Sequence, residues 1–412
     1  MESAAIESAK HILFIVGIVL LTGSLSGVLA QKCKVPDVVV FLLIGMCLGP
    51  EVSGIFDVKA DSTINQLILI FGSSYILFDG GASLRLKVLK EVWITIVIIS
   101  TLGVLITTAI TGLAAFQFLG IPLITALLLG STIASTDPAT LVPVFKQVRI
   151  KDRVAQTVMS ESAFNDAMGA IITFSLMAIA LGTGGKFSLG SATYTLVSSA
   201  LIGVLAGGIL GYLAAFLIAH EKYDFLQEYA PLVTLMAVIG AFMTAENFHA
   251  SGFMSVFVFG IMLGNKDVFG FAMEHKEEEK LEDFILTTSL IMRMFIFILL
   301  GSQVNFTLMG KYIWGGIGLV LVFMLVARPV TVFICAGVDR RAKWSLKELL
   351  FMCWTRETGV IPGALAGILV GMKVPGADVI ASVTFLAILM TIIIQATTTK
   401  WLAGKLGLLV KT

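Results

Sequence analysis

Charge is scarce in this sequence. Charged residues make up 13% of the 412, about half of the ~25% usual in soluble domains, which excludes a water-soluble globular protein of ordinary make-up. Paired thiols are lacking too. Cys33, Cys47, Cys335 and Cys353 show no C-x-x-C spacing, so they read as small apolar residues rather than a disulfide framework or a metal site. The four histidines form no ligand cluster. No basic, aromatic-rich stretch offers a nucleic-acid surface, and no glycine-rich phosphate loop offers a nucleotide site. No cofactor is expected.

What is present is apolar. Hydrophobic residues make up 57% of the chain, and the mean hydropathy is +0.98. Runs of about 20 apolar residues, the length of a transmembrane helix, recur from end to end. Breaks at glycine, proline and charge clusters divide the chain into about thirteen spans. They lie near 11–30, 36–50, 62–82, 88–115, 121–145, 154–182, 190–219, 228–246, 250–265, 283–304, 312–338, 346–372 and 377–404. The second and ninth are short for a full crossing. The first is long and follows two acidic residues, so it reads as a retained helix rather than a signal peptide. The expected fold is an all-α polytopic membrane protein, one transmembrane domain over residues 1–412.

The basic residues orient it. Of the 28, twenty fall after odd-numbered spans or at the C-terminal end, and five fall in the N-terminal segment or after even-numbered spans. The positive-inside rule then puts the N-terminus outside and the C-terminus in the cytoplasm of a multi-pass cell-membrane protein. The run "EHKEEEKLED" (274–283) reads as a solvated cytoplasmic loop.

The remaining three basic residues, Arg293, Arg328 and Arg356, sit inside spans, as do Asp137, Glu161, Asp166 and Glu357. Asp79 and Glu246 lie nearer span ends. Each charge at the bilayer centre costs roughly 2.5–3.5 kcal/mol even on a lenient scale, so each needs a partner, water or a function.

The chain also repeats itself. "VVVFLLIGMCLGP" (38–50) matches "FMSVFVFGIMLGN" (253–265), with Gly45 and Gly49 opposite Gly260 and Gly264. "ILFDGGASL" (76–84) matches "FILLGSQVN" (297–305), with Gly80 opposite Gly301. "STDPATLVPVF" (135–145) faces "WTRETGVIPGA" (354–364), with Pro143 opposite Pro362 and Asp137 opposite Arg356. Matched spans are seven apart, an odd number, so they run in opposite directions. That is an inverted-topology repeat, common in secondary transporters. Repeat one covers about 36–182, a linking helix about 190–219, and repeat two about 250–404.

Pro138 lacks an N–H and clashes with the carbonyl four residues back, and Pro143 does the same one turn later. An ordinary proline kink is the plainer alternative. Interrupted helices at matching positions of two halves point instead to a binding site. If spans 5 and 12 cross at their breaks, Asp137 and Arg356 each face a helix end of suitable dipole. On span 6, Ser162 and Asp166 share one face, and Glu161 and Asn165 share the next. Thr136, Asp137, Ser162, Asn165 and Asp166 make an oxygen-only set suited to a small hard cation. Asp166, in a desolvated pocket, is expected to hold a proton or a cation but not both, a structural salt bridge with one of the three arginines being the plainer alternative. For Glu161 a structural ion pair is expected.

These stretches carry a resemblance. "TDPATLVPVF", "ESAFNDA", "LVARPVTVF" and "GVIPGALAG" resemble the NhaP-type sodium/proton antiporters of the monovalent cation:proton antiporter-1 family, over essentially all 412 residues. The resemblance implies thirteen helices, an inverted six-helix repeat, crossed discontinuous helices 5 and 12, and a homodimer in the lipid bilayer. It implies exchange of Na+ or Li+ for H+, with Asp166 as the coupling carboxylate and Asp137, Ser162 and the Thr136 backbone completing the sodium site. Asn165 stands where electrogenic relatives carry a second aspartate, which implies electroneutral one-for-one exchange. Glu161 is implied to pair with Arg328. The chain departs in span 12, where relatives usually read R-G: here "TRETG" puts Thr358 at the arginine place and Arg356 two residues earlier. A potassium/proton antiporter of the same fold is the alternative. An intramembrane aspartyl protease would need Y-D and G-x-G-D contexts, and neither occurs. A channel would spread its ionisable residues around an axis.

Overall fold

A computed structural model describes residues 4–33, 35–136, 150–182, 189–220 and 225–409, and these are helical almost throughout. The helices are α1 (Ala4–Cys33), α2 (Asp37–Leu48), α3 (Thr63–Ala82), α4 (Leu86–Leu119), α5 (Leu123–Ile133), α6 (Asp152–Ala180), α7 (Leu189–Ala219), α8 (Ala230–Asn247), α9 (Gly252–Gly264) and α10 (His275–Ser302). Then come α11 (Phe306–Val322), α12 (Arg328–Val338), α13 (Leu346–Trp354), α14 (Val360–Gly371), α15 (Ala377–Thr391) and α16 (Thr397–Leu406).

Local chemistry sets many of the ends. Ser62, Ser251 and Asn305 cap α3, α9 and α11 by accepting an N–H three residues on. Ser345 and Glu348 form a reciprocal capping box at the start of α13. Gly120, at φ 64°, ends α4 in a left-handed conformation that glycine adopts without penalty. Among the described residues, eight helical stretches are long and apolar enough to cross a membrane: α1, α4, α6, α7, α8, α10, the run Phe306–Val338 and Ala377–Gln395. The shorter apolar helices are α2, α5, α9 and α14. Two of these, α2 and α9, are the spans read as short from sequence, and the other two adjoin the expected breaks.

Spans 11 and 13, read as continuous, each contain a π-turn: Phe323–Ala327 between α11 and α12, and Ile392–Ala396 between α15 and α16. Pro329 follows two residues after the end of the first. Its missing N–H frees a carbonyl of the preceding turn, which lets the helix take an extra residue there.

The inverted repeat is visible in packing. A Cβ on Gly45 of α2 would collide with the Ile298 carbonyl of α10, and one on Gly301 of α10 with the Leu42 carbonyl of α2. A Cβ on Gly81 of α3 would likewise meet the Phe257 carbonyl of α9, and one on Gly260 the Phe78 carbonyl. Exchanging matched spans turns one pair into the other. Only glycine permits such backbone approach, which is how membrane helices gain packing contact without a hydrophobic driving force. The register differs from the sequence reading by one residue: Gly81, not Gly80, mirrors Gly301. Gly80 faces the Cβ of Ala163 on α6.

One apolar core joins α1–α3 with α7–α10. Two others bind α4–α6 to α11–α16. Helices α6 and α14 border both groups, and α6 and the break before α14 carry the charged residues of interest. Large apolar side chains of α7, among them Leu201, Leu205 and Ile209, point outward.

Candidate cation site

The site is built where α5 stops. Its last turn ends at Ile133, and Thr136 is non-helical. Asp137, Pro138 and Pro143 lie outside the described residues. Thr136 is clamped to α6 by four hydrogen bonds. Its N–H donates to Asn165 Oδ1 at 3.0 Å, and Asn165 Nδ2 donates back to Thr136 Oγ1 at 2.8 Å. Thr136 Oγ1 donates to Ser162 Oγ at 3.0 Å, and Ser162 Oγ donates to the Thr136 carbonyl at 2.7 Å. All three residues are buried, and so is Asp166.

This brings together Thr136, Ser162 and Asn165, with Asp166 next in sequence and one turn beyond Ser162 on the same helix. Asn165 acts as a brace, using both amide donor and acceptor. An aspartate there could receive the Thr136 N–H but could not donate to Thr136 Oγ1.

Five residues earlier on α6, Glu161 meets Arg328. Both Nη atoms donate to the carboxylate, Nη1 to Oε1 and Nη2 to Oε2, the latter at 2.8 Å. Arg328 Nε donates to the Met352 carbonyl of α13 at 2.8 Å. The pair is buried on both sides. A bidentate arginine–carboxylate pair with its third N–H also satisfied is the arrangement that offsets desolvation best.

Span 12 is interrupted. Helix α13 ends at Trp354, α14 begins at Val360, and residues 355–359 between them are non-helical. In that gap the Thr358 N–H donates to Thr391 Oγ1 of α15 at 3.0 Å. Arg356 reaches back across the molecule. Its Nη2 donates to the carbonyl of Ala134, the C-cap of α5, and Nη1 to Thr107 Oγ1 of α4 at 3.4 Å. Its guanidinium lies 5.4 Å from the ring centre of Phe323, in the first π-turn. A cation thus sits on the negative end of α5, where the helix dipole favours it. Arg356 is also within electrostatic range of Asp166 and Glu161. Glu357 is fully buried in the same gap.

The sequence reading missed some of the supporting polar contacts. Thr107 Oγ1 lies 3.0 Å from Thr331 Oγ1, tying α4 to α12. Thr173 donates to Ser131 at 2.9 Å, tying α6 to α5. Trp354 Nε1 donates to Thr398 Oγ1 at 2.8 Å. Threonines inside apolar runs carry no sequence mark that distinguishes these partners.

The end of α5 is thus clamped by oxygen-bearing side chains, with a buried carboxylate next to Asn165 on α6. Residues 17–405 match the protein family described as sodium/hydrogen exchanger, transmembrane. The chain belongs to that family. It is 31% identical to Na(+)/H(+) antiporter 1 of Methanocaldococcus jannaschii, over 95% of this chain and 94% of the relative. It is 30% identical to the Na(+)/H(+) antiporter NhaH of Halobacillus aidingensis, over 97% and 99%. The K(+)/H(+) antiporter NhaP of Alkalimonas amylolytica is 26% identical over 94% of this chain and 66% of its own length. The structure superposes on that of the sodium proton antiporter MjNhaP1 from Methanocaldococcus jannaschii at pH 8 with a TM-score of 0.83, covering 97% of this chain and 99% of the other at 30% identity. The fold is thus that of the NhaP-type antiporters, and the protein is a multi-pass membrane protein.

Proposed function

We propose that this chain is a secondary transporter that exchanges Na+ or Li+ for H+ across the cell membrane, one for one. The observation that carries the reading is the clamp of Thr136 onto α6, which sets the end of α5 beside Asp166 in an oxygen-rich, buried setting. Asp166 is the carboxylate that binds cation and proton in turn. Asp137, Ser162 and Thr136 complete the cation's oxygen shell. Asn165 braces the shell and cannot titrate. Glu161 with Arg328, and Arg356 on the end of α5, hold the breaks in place.

The cycle follows from competition. A carboxylate in low dielectric binds one small cation or one proton, and either neutralises it. Only a neutralised site crosses the bilayer at moderate cost, since a bare buried charge is expensive. Unloaded crossing is thereby suppressed, which couples the two fluxes. The accompanying topology has thirteen spans with the N-terminus outside and the C-terminus in the cytoplasm. Repeats of about 36–182 and 250–404 flank a linking helix, in a homodimer. The chain performs no covalent chemistry and uses no cofactor; Na+ and H+ are its cargo.

Potassium is the second reading, favoured by the similarity to the Alkalimonas K(+)/H(+) antiporter. The test is cation-driven proton movement in proteoliposomes with sodium, lithium and potassium in turn. Sodium and lithium should each drive proton flux. Flux with potassium alone would install the second reading, and flux with none of the three would end both.

A further inference from the structure

Lined by none of the clamp residues, a crevice of about 390 Å³ opens between the two groups of helices. One wall comes from the loop after α2 and the end of α10, including Glu51, Lys59 and Gln303. The other comes from α14 and α15, including Gly367, Asp378 and Ser382. On the orientation proposed above, this is the outside face, and the inference rests on that exchange reading.

The crevice ends on a thin apolar floor. Leu69 of α3 abuts Gly367, with its Cδ1 2.6 Å from where a Cβ would stand. Leu300 of α10 and Ile388 of α15 abut Gly363 in the same way, at 2.8 and 3.5 Å. These three side chains and Phe385 are buried. From Gly367 back to Val360, where the break begins, is seven residues, about 10 Å of helix. Gly363, Gly367 and Gly371 lie four apart along α14, so they form one smooth row facing α3, α10 and α15.

One polar side chain bridges that seam. Gln66 of α3 is half-buried, and its amide nitrogen makes two bonds: to Ala60 O in its own loop at 2.7 Å, and to Gly367 O across the seam at 3.2 Å. The amide fills the notch left by Gly371, where any Cβ would collide with it. Behind it, Gln303 Nε2 donates to Asn65 Oδ1 at 2.9 Å and Asn65 Nδ2 to Ala60 O at 2.8 Å, which stiffens the loop that Gln66 also holds. A second bridge, Lys373 to Asp61 at 3.2 Å, lies on the exposed surface, where ion pairs contribute little.

We propose that this crevice is the closed outside end of the exchanger's cation path, and that the Gln66 amide, seated in the Gly371 notch and bonded to Gly367, is the latch that keeps it closed. Opening would slide the glycine row of α14 past α3 and α10. That motion breaks one hydrogen bond and withdraws one side chain, while the floor of Leu69, Leu300, Phe385 and Ile388 parts to admit a hydrated monovalent cation.

The test reads the mouth directly. Ile388→Cys places a thiol in the buried floor, and Ser382→Cys places one in the crevice as a control. Both are exposed in proteoliposomes to a membrane-impermeant thiol reagent, with labelling read by peptide mass spectrometry so that the native cysteines can stay. Ser382→Cys should label at the same rate with or without Gln66→Ala. Ile388→Cys should label at least threefold faster when Gln66→Ala is added. Equal rates for Ile388→Cys, in variants whose melting temperatures match the parent, would overturn the latch. A larger effect from Lys373→Ala than from Gln66→Ala would also overturn it, by moving the latch to the ion pair. In a second arm, Gln66→Cys with Gly371→Cys is oxidised to a disulfide. Exchange should fall at least tenfold and return on reduction, whereas full exchange in the cross-linked protein would show that the seam does not move. Labelling needs no transported ion, so its failure leaves the exchange reading standing. Absence of any cation-driven flux in the parent would instead sink that reading and leave the labelling result intact.

Discussion

Glu161 and Asp166 stand five residues apart on one helix, 2% and 5% exposed. Both are carboxylates in a membrane helix, yet the proposed function gives them opposite tasks. Glu161 has a bidentate arginine whose Nε–H is anchored on α13. Its charge is fully answered, and no small cation could compete with a fixed guanidinium. Asp166 sits beside a clamp of hydroxyl and amide groups, within electrostatic range of Arg356, whose guanidinium also holds the end of α5. The proposed function uses the neighbouring Thr136 and Ser162 oxygens to solvate a small cation on Asp166. On the proposed function, the same residue type is structural at Glu161, where an arginine is fixed on it, and exchangeable at Asp166.

The comparison breaks most sharply at Asp166. Asp166→Asn keeps the volume and removes titration, so exchange should fall by more than a hundredfold while the melting temperature stays near the parent value. Sodium-driven proton flux at the parent rate would return Asp166 to a structural role. Glu161→Ala should do the reverse. It leaves Arg328 buried without its carboxylate, a cost of about 3–5 kcal/mol, so the melting temperature and yield should drop well below those of Asp166→Asn. Equal thermal unfolding of Glu161→Ala and the parent would show that the pair is dispensable.

Arg356 sharpens the contrast at a smaller scale. Arg356→Ala removes the donor to the Ala134 carbonyl and leaves that group buried and unsatisfied, at about 1–3 kcal/mol. Since Ala134 is two residues before Thr136, the loss should also loosen the clamp. The expected outcome is a raised apparent KM for sodium with a smaller change in maximal rate, and partial recovery with Arg356→Lys, which keeps the charge but not the planar reach. An unchanged KM would confine Arg356 to holding the fold.

The charged elements were legible in the sequence because charge inside an apolar run is costly enough to stand out. Glu161, Asp166, Arg328 and Arg356 announced themselves in that way, and so did the break in span 12. What was not legible had no such cost attached. Gly80 and Gly81 are adjacent and look alike, and only packing shows that Gly81 meets the α9 backbone. Ser100, Thr101 and Thr111 bond carbonyls of their own helix, whereas Thr107 reaches across to Thr331; the sequence treats all four alike. Gln66 reads as one polar residue near a helix start, because the notch that receives it is made by a glycine 305 positions later.

The smallest expected effect is none at all, and it is the most discriminating. If Asp166 alone changes protonation, the site carries either one monovalent cation or one proton, and the loaded carrier has the same charge in both directions. A membrane potential then does no net work on the exchange, although each charge moved singly would feel about 2.3 kcal/mol per 100 mV. The sodium gradient that balances a fixed pH gradient in proteoliposomes should stay constant when a potassium–valinomycin potential is imposed. Asn165→Asp supplies the contrast, because it adds a second carboxylate next to Asp166 while keeping the acceptor for the Thr136 N–H. If that carboxylate also exchanges its proton, the balance point of the variant should begin to move with voltage. A balance point that moves in the parent would mean that more than one charge is exchanged per cycle. Asp166 would then need a titrating partner among the other buried carboxylates, with Glu357 in the span 12 gap the first to replace by glutamine.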